Sequence, residues 1–157
     1  MENRKVVIFD LDGTLADIAE RRAMATMEGD KINWSKFFDP QNVKMDTPNW
    51  PVIEAFKAMK AQGHEMVIFS GRSDATKDAT ITWLNEYDVD FDRLLMRPNQ
   101  PPLLFMRDDE LKSMWLDEEF PGEEKKRIIC VYDDRNKVVD MWREKGITCF
   151  QVAPGDF

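Results

Sequence analysis

The chain has 157 residues, 43% apolar and 11% aromatic, which suits one domain with a sizeable core. Its 22 Lys and Arg against 30 Asp and Glu give a formal charge of −8, and such a surface repels a phosphate backbone and argues against a long nucleic-acid groove. No 18-residue apolar stretch occurs, so no transmembrane helix is expected, and the opening Met1-Glu2-Asn3-Arg4-Lys5 leaves no room for a signal peptide, so a cytoplasmic protein is expected.

The first predicted strand is Lys5–Phe9, a short β-branched and aromatic run that ends at Asp10-Leu11-Asp12-Gly13-Thr14. Two carboxylates therefore leave the carboxyl end of a buried strand, where open parallel sheets build their ligand sites. One can attack phosphorus while the other serves as acid and base, with a cation beside them to offset their mutual repulsion. The plain alternative is a strand followed by an Asp-Gly turn. A polar, irregular stretch follows, about residues 16–49, with a helix expected near Glu20–Met27 and a turn near Trp34–Phe38. It is too long for a simple connector and is read as a small lid, its Arg21, Arg22 and lysines lying beside Trp34, Phe37 and Phe38.

Helix two is expected over Trp50–Gln62, stopped by Gly63, and strand two over Met66–Phe69. That strand runs into Ser70-Gly71-Arg72, read as the start of a helix whose hydroxyl, backbone N–H and guanidinium hold a phosphate; an N-cap serine and a surface arginine are the alternative. Helix three is expected over Asp74–Glu86 and strand three over Arg93–Met96, followed by a proline-rich loop and a helix from Asp108 that carries Lys112. Strand four, Ile128–Tyr132, ends at Asp133-Asp134, adjacent carboxylates that fit a Mg²⁺ site or, more plainly, an acidic helix cap. Helix five, Asn136–Lys145, and strand five, Thr148–Val152, complete the chain. Alternating strands and helices imply a three-layer α/β sandwich around a parallel sheet, one domain over residues 1–157. Cys130 and Cys149 lie in apolar segments without metal spacing and are read as buried thiols, and the single His64 supports no triad.

Three strands in order thus end in Asp-x-Asp-Gly-Thr, Ser-Gly-Arg and Asp-Asp, with Lys112 between the last two. This set resembles the four motifs of the haloacid-dehalogenase-like (HAD) phosphatase superfamily, a Rossmann-like fold. The segment Asp133-Asp134-Arg135-Asn136-Lys137-Val138-Val139-Asp140-Met141-Trp142-Arg143 and the tail Gln151-Val152-Ala153-Pro154-Gly155-Asp156-Phe157 are similar to the 3′-phosphatase domain of the T-even phage polynucleotide kinase/phosphatases. The family's Arg-x-Asp-Asp-x-x-Lys segment is approached by Arg107–Lys112, and its lid arginine falls on Arg21 by ungapped count from Asp10.

The resemblance implies hydrolysis of a phosphomonoester through an aspartyl-phosphate. Asp10 is then the nucleophile and Asp12 the acid and base. Ser70, Gly71, Arg72 and Lys112 hold the phosphoryl group. Mg²⁺ is bound by Asp10, Asp133, Asp134 and Asp12, the last through its carbonyl. Arg21, Arg97, Asp108 and Arg135 are assigned to the substrate. The substrate implied is a 3′-phosphate on a DNA or RNA end, or a nucleotide. No Gly-x-x-x-x-Gly-Lys-Ser/Thr loop is present, so a phosphatase without 5′-kinase activity is expected. A small-molecule phosphatase of the same superfamily, or a non-catalytic module on the same fold, are the alternatives.

Overall fold

A computed structural model describes residues 4–157, so Met1, Glu2 and Asn3 of the opening read above lie outside the described residues. Five strands, β1 (Val6–Phe9), β4 (Glu65–Ser73), β5 (Arg93–Arg97), β6 (Ile128–Asp133) and β7 (Cys149–Gln151), form one parallel sheet in the order β5-β4-β1-β6-β7. Two further short strands, β2 (Ala16–Asp17) and β3 (Thr47–Pro48), form a separate antiparallel ribbon.

Alternation along β1 explains the layers. Val6 and Ile8 face one side of the sheet and Val7 and Phe9 the other, and every one of them is buried. Helices α6 (Asp108–Glu119) and α7 (Asn136–Glu144) cover the Val6 face through Leu111, Trp115, Val138 and Trp142. Helices α4 (Trp50–Ala61) and α5 (Lys77–Glu86) cover the Val7 face through Ile53, Phe56, Trp83 and Leu84. Cys130 packs on one face and Cys149 on the other, so the two thiols stay free and separate. The expected three-layer parallel architecture is the one observed. Among the described residues no helix is long and apolar enough to cross a membrane.

The stretch after β1 carries more structure than the two elements expected. It holds α1 (Ala19–Ala25), α2 (Trp34–Phe37) and α3 (Pro40–Val43), and the β2–β3 ribbon ties its two ends together. Asn49 anchors the far end: its backbone N–H donates to the Leu15 carbonyl and its side chain to the Thr14 carbonyl, each at 2.9 Å. The insertion is thereby fixed to the loop that follows β1.

One boundary differs in a way that matters. β4 does not stop at Phe69; it continues through Ser70-Gly71-Arg72-Ser73 and pairs Ser73 with Arg97 across an irregularity in the β4–β5 register. The following helix opens with a 3₁₀ turn at Asp74–Thr76. No helix N-terminus therefore forms at Ser70 or Gly71, and the cradle expected there is replaced by strand backbone.

Candidate active site

β1, β6 and α6 deliver four charged side chains to one point at the carboxyl edge of the sheet. Asp10, Asp133 and Asp134 are buried, and an oxygen from each lies within 4.8 Å of the others. Lys112, 2% exposed, reaches between them: its ammonium donates to Asp10 Oδ1 at 2.8 Å and to Asp133 Oδ2 at 3.0 Å. Thr14 Oγ1 donates to the other Asp10 oxygen at 2.8 Å. Gly13 makes the crowding possible, since it adopts φ +82° and a Cβ there would sit 2.1 Å from Asp134 Oδ2.

Three carboxylates against one ammonium leave a buried excess of negative charge. Burial, then the charge of Asp133, push Asp10 well above the usual carboxylate range despite Lys112. Burial raises Asp134 as well. Burial alone would neutralise Lys112, but Asp10 and Asp133 outweigh it and hold the amine protonated. This donor set, all hard oxygens, fits a divalent cation of the Mg²⁺ type.

The carboxylates differ in what already holds them. Asp133 is satisfied on both oxygens, by Lys112 on one and by the N–H groups of Asp134 (2.8 Å) and Arg135 (3.4 Å) on the other. Asp134 is held less firmly, by a long 3.5 Å contact from Thr14 and by its Asp10 neighbour. The Asp12 carboxylate is not part of this cluster, which leaves only its carbonyl for the metal role expected of it.

Asp12 belongs instead to a second network. Its Oδ1 accepts from Arg21 Nη2 at 2.8 Å and also from Arg72 Nη2. The same two guanidiniums grip Asp46, Arg21 Nε on Oδ1 and Arg72 Nη2 on Oδ2, both at 2.9 Å. Arg21 also donates to the Phe37 carbonyl and lies 4.3 Å over the Phe37 ring, and Arg72 donates to Thr80 Oγ1. Burial alone would raise the Asp12 carboxyl; Arg72 and Arg21 outweigh it and hold it below the usual range. At Asp46 burial prevails and the carboxyl is raised.

Two of the expected ligand contacts are bonded to protein groups in this structure. Arg21 was expected at the substrate, but it is fully buried and each arm of its guanidinium is bonded to protein. Arg72, expected on phosphate, is 1% exposed and bonded to Asp12, Asp46 and Thr80, and its Nε has no partner among the described residues. Both arginines shape Asp12. Asp46 was missed because nothing local in Met45-Asp46-Thr47 marks it. The pointer was charge balance, since two buried arginines need more than the single carboxylate of Asp12.

A third group closes the rim. Asp108 accepts from Arg97 Nη2 at 2.5 Å and from Arg135 Nη1 at 3.0 Å, and Arg97 Nε donates to the Gly71 carbonyl at 2.9 Å. Ser70 Oγ, buried, accepts from the Arg72 N–H at 3.1 Å. The residues assigned above to catalysis, metal, phosphate and substrate thus fall into three neighbouring clusters, whereas Cys130 and Cys149 pack in the core.

Comparison with known proteins now becomes informative. Residues 4–157 match the model of the polynucleotide kinase PNKP phosphatase domain. A protein of Autographa californica nuclear polyhedrosis virus, described as a bifunctional polynucleotide kinase/RNA ligase, is 32% identical over 154 residues; the match covers 95% of this chain and 19% of that one. A chain of the Pnkp1/Rnl/Hen1 RNA repair complex is 34% identical with a TM-score of 0.77, covering all of this chain and 45% of its own length. A haloacid dehalogenase-like hydrolase from Streptococcus pneumoniae, 12% identical with a TM-score of 0.63 over 96% of this chain and 85% of its own, shares the fold. This chain spans a fifth of the viral relative and under half of the repair-complex chain. The protein is a phosphatase of the HAD-like fold, and the chain belongs to the polynucleotide kinase PNKP phosphatase domain family.

Proposed function

We propose that this phosphatase removes 3′-phosphates from nucleic-acid ends with the help of Mg²⁺, through a phosphoryl group carried on Asp10. The observation that supports it most is the buried Asp10–Lys112–Asp133–Asp134 cluster at the carboxyl edge of the sheet. A bound divalent cation there would neutralise the carboxylates and draw charge from the phosphoryl oxygens. Asp10, Asp134 and the Asp12 carbonyl would hold it.

Thr14 and Lys112 fix the Asp10 carboxylate by one hydrogen bond to each oxygen. Asp10 attacks phosphorus, the bond from phosphorus to the ester oxygen breaks, and Asp12 gives its proton to that oxygen. In the second step Asp12 takes a proton from water, water oxygen bonds to phosphorus, and the Asp10–phosphorus bond breaks to release inorganic phosphate. Before substrate arrives, Arg21 and Arg72 favour ionised Asp12, which suits the base step. The dianionic phosphate competes for Arg72, loosens that hold, and lets Asp12 take up the proton needed for the acid step. Lys112 and Ser70 would contact the transferred group, and Asp46 keeps the two arginines in place.

The strongly acidic surface favours a second reading, in which the substrate is a small phosphomonoester such as a free nucleotide or sugar phosphate. Phosphate release in Mg²⁺ from a 3′-phosphorylated oligonucleotide, from free mononucleotides and from sugar phosphates separates the two. A higher kcat/KM on the oligonucleotide is expected; a preference for a free metabolite would replace the first reading with the second.

A further inference from the structure

The tail after β7 does not trail away from the site. Asn136 N–H donates to the Gly155 carbonyl at 2.9 Å, and Gly155 packs so closely on the backbone of Asp134 that a Cβ would lie 1.8 Å from the Asp134 carbonyl oxygen. Arg135 Nε then donates to the Phe157 carbonyl at 2.9 Å. Phe157 is thereby tied to the segment that carries Asp134 and Arg135, yet the residue is 46% exposed.

Two cations flank that ring from different elements. Arg22, on α1, holds its guanidinium 4.9 Å from the ring centre, and Arg135 holds its own at 5.4 Å. Arg22 follows Arg21 in sequence, so the lid helix that grips Asp12 also presents Arg22 to the tail. Among the described residues no carboxylate pairs with the Arg22 guanidinium. Asp108 is shared by Arg97 and Arg135, which leaves that trio positive. Counting Asp156 on the same tail and Asp30 in the hollow beside Arg22, the patch is close to neutral on a chain of charge −8. Arg22 also lines an open hollow of about 420 Å³ with Thr26, Asp30 and Ile32, and the tail before Phe157 lines another of about 480 Å³ with Asn136 and Gln151.

From this arrangement we infer that Phe157, Arg22 and Arg135 form a strand-binding subsite at the mouth of the active site. A base of the 3′-terminal segment takes the place of the Arg22 guanidinium on the Phe157 ring, and Arg22, so released, binds the internucleotide phosphate next to it. The occupant is a single strand, because a stacking ring needs an unpaired base face. This rests on the nucleic-acid reading above and names the part of the substrate the chain grips outside the reacting phosphate. Aromatic stacking is sequence-tolerant, so the subsite selects strand, not sequence.

The test compares purified wild type, Phe157→Ala, Phe157→Leu and Arg22→Ala in Mg²⁺. The substrates are p-nitrophenyl phosphate, a nucleoside 3′-phosphate, and 3′-phosphorylated di- and decanucleotides. Phe157→Ala is expected to lower kcat/KM on the decanucleotide by about 5- to 160-fold through KM, the size of one lost base stack. Phe157→Leu, which keeps apolar bulk without a flat ring, should lose nearly as much. Neither should change p-nitrophenyl phosphate turnover. Arg22→Ala should act only from the dinucleotide upward and reduce the salt slope of log KM by about 0.7, the share of one single-strand phosphate contact. Equal losses on p-nitrophenyl phosphate, or full rescue by Phe157→Leu, would make Phe157 a structural clasp and overturn the subsite while leaving the 3′-phosphatase reading standing. A wild type that prefers free metabolites to every oligonucleotide would overturn both.

Discussion

Lys112→Met probes the centre of the charge arrangement. Methionine keeps the apolar stem within the core but removes the ammonium that meets Asp10 at 2.8 Å and Asp133 at 3.0 Å. Three buried carboxylates then face one another with no cation. Breaking a buried ion pair by deleting one partner costs about 3–5 kcal/mol. For a domain of this length that is a fall in melting temperature of about 6–20 °C. The measurement is thermal unfolding of wild type and Lys112→Met after metal removal with EDTA, then again with excess Mg²⁺. The melting temperature should fall by that amount without metal, and Mg²⁺ should recover part of it, because a divalent cation can take the charge that lysine no longer offsets. Activity should stay low even with Mg²⁺, since the phosphoryl oxygens lose their nearest amine. Unchanged melting in EDTA would refute the reasoning, as would a variant more stable than wild type.

Mg²⁺ at about 100 times its dissociation constant should stabilise wild type by about 2.7 kcal/mol, or roughly 5–11 °C by thermal melting. Asp134→Ala should abolish that shift while Asp133→Ala keeps a reduced one, because Asp133 is already satisfied by Lys112 and two backbone N–H groups; the reverse order would exchange their roles. Burial, with Asp133 adding its charge, raises Asp10, so the folded state holds a proton that the unfolded chain releases. The stability from this group is present at acid pH and lost as pH rises, so the metal-free melting temperature should climb as pH falls from 7 toward about 5, above the unfolded carboxylate value of about 4. Asp10→Asn should flatten that climb in the same pH-melting series, and an identical climb would remove Asp10 as its source. Arg21→Ala should depress turnover of an oligonucleotide and of p-nitrophenyl phosphate equally, since Arg21 acts on Asp12, whereas Trp34→Ala, at an exposed ring, should depress only the oligonucleotide; kcat/KM on the two substrates checks both.

The sheet was legible because strand burial leaves a plain mark: Val6–Phe9, Met66–Phe69 and Ile128–Tyr132 are apolar on both faces, as strands covered by helices must be. The acids at their ends were legible for the same reason, since a polar pair directly after such a run emerges at the sheet edge. The continuation of β4 through Ser70-Gly71-Arg72 was not, because its polar residues pair with β5 through backbone groups that any sequence supplies. The fate of Arg21 and Arg72 was hidden too. Whether an arginine meets substrate or protein depends on a partner elsewhere in the chain, and that partner, Asp46, lies in an irregular stretch with no periodicity to betray it.

In the proposed reaction Asp10 carries the phosphoryl group taken from a nucleic-acid 3′ end. It is tested most directly by mixing the protein with a 3′-phosphorylated oligonucleotide and Mg²⁺, quenching in acid within the first turnover, and mapping the adduct by mass spectrometry. The account predicts one phosphoryl group on the peptide that contains Asp10, enriched in Asp12→Asn, where breakdown is slowed, and absent from Asp10→Asn, which should be folded and inactive. Near-wild-type phosphate release by Asp10→Asn, or steady turnover with the adduct on another residue, would contradict it.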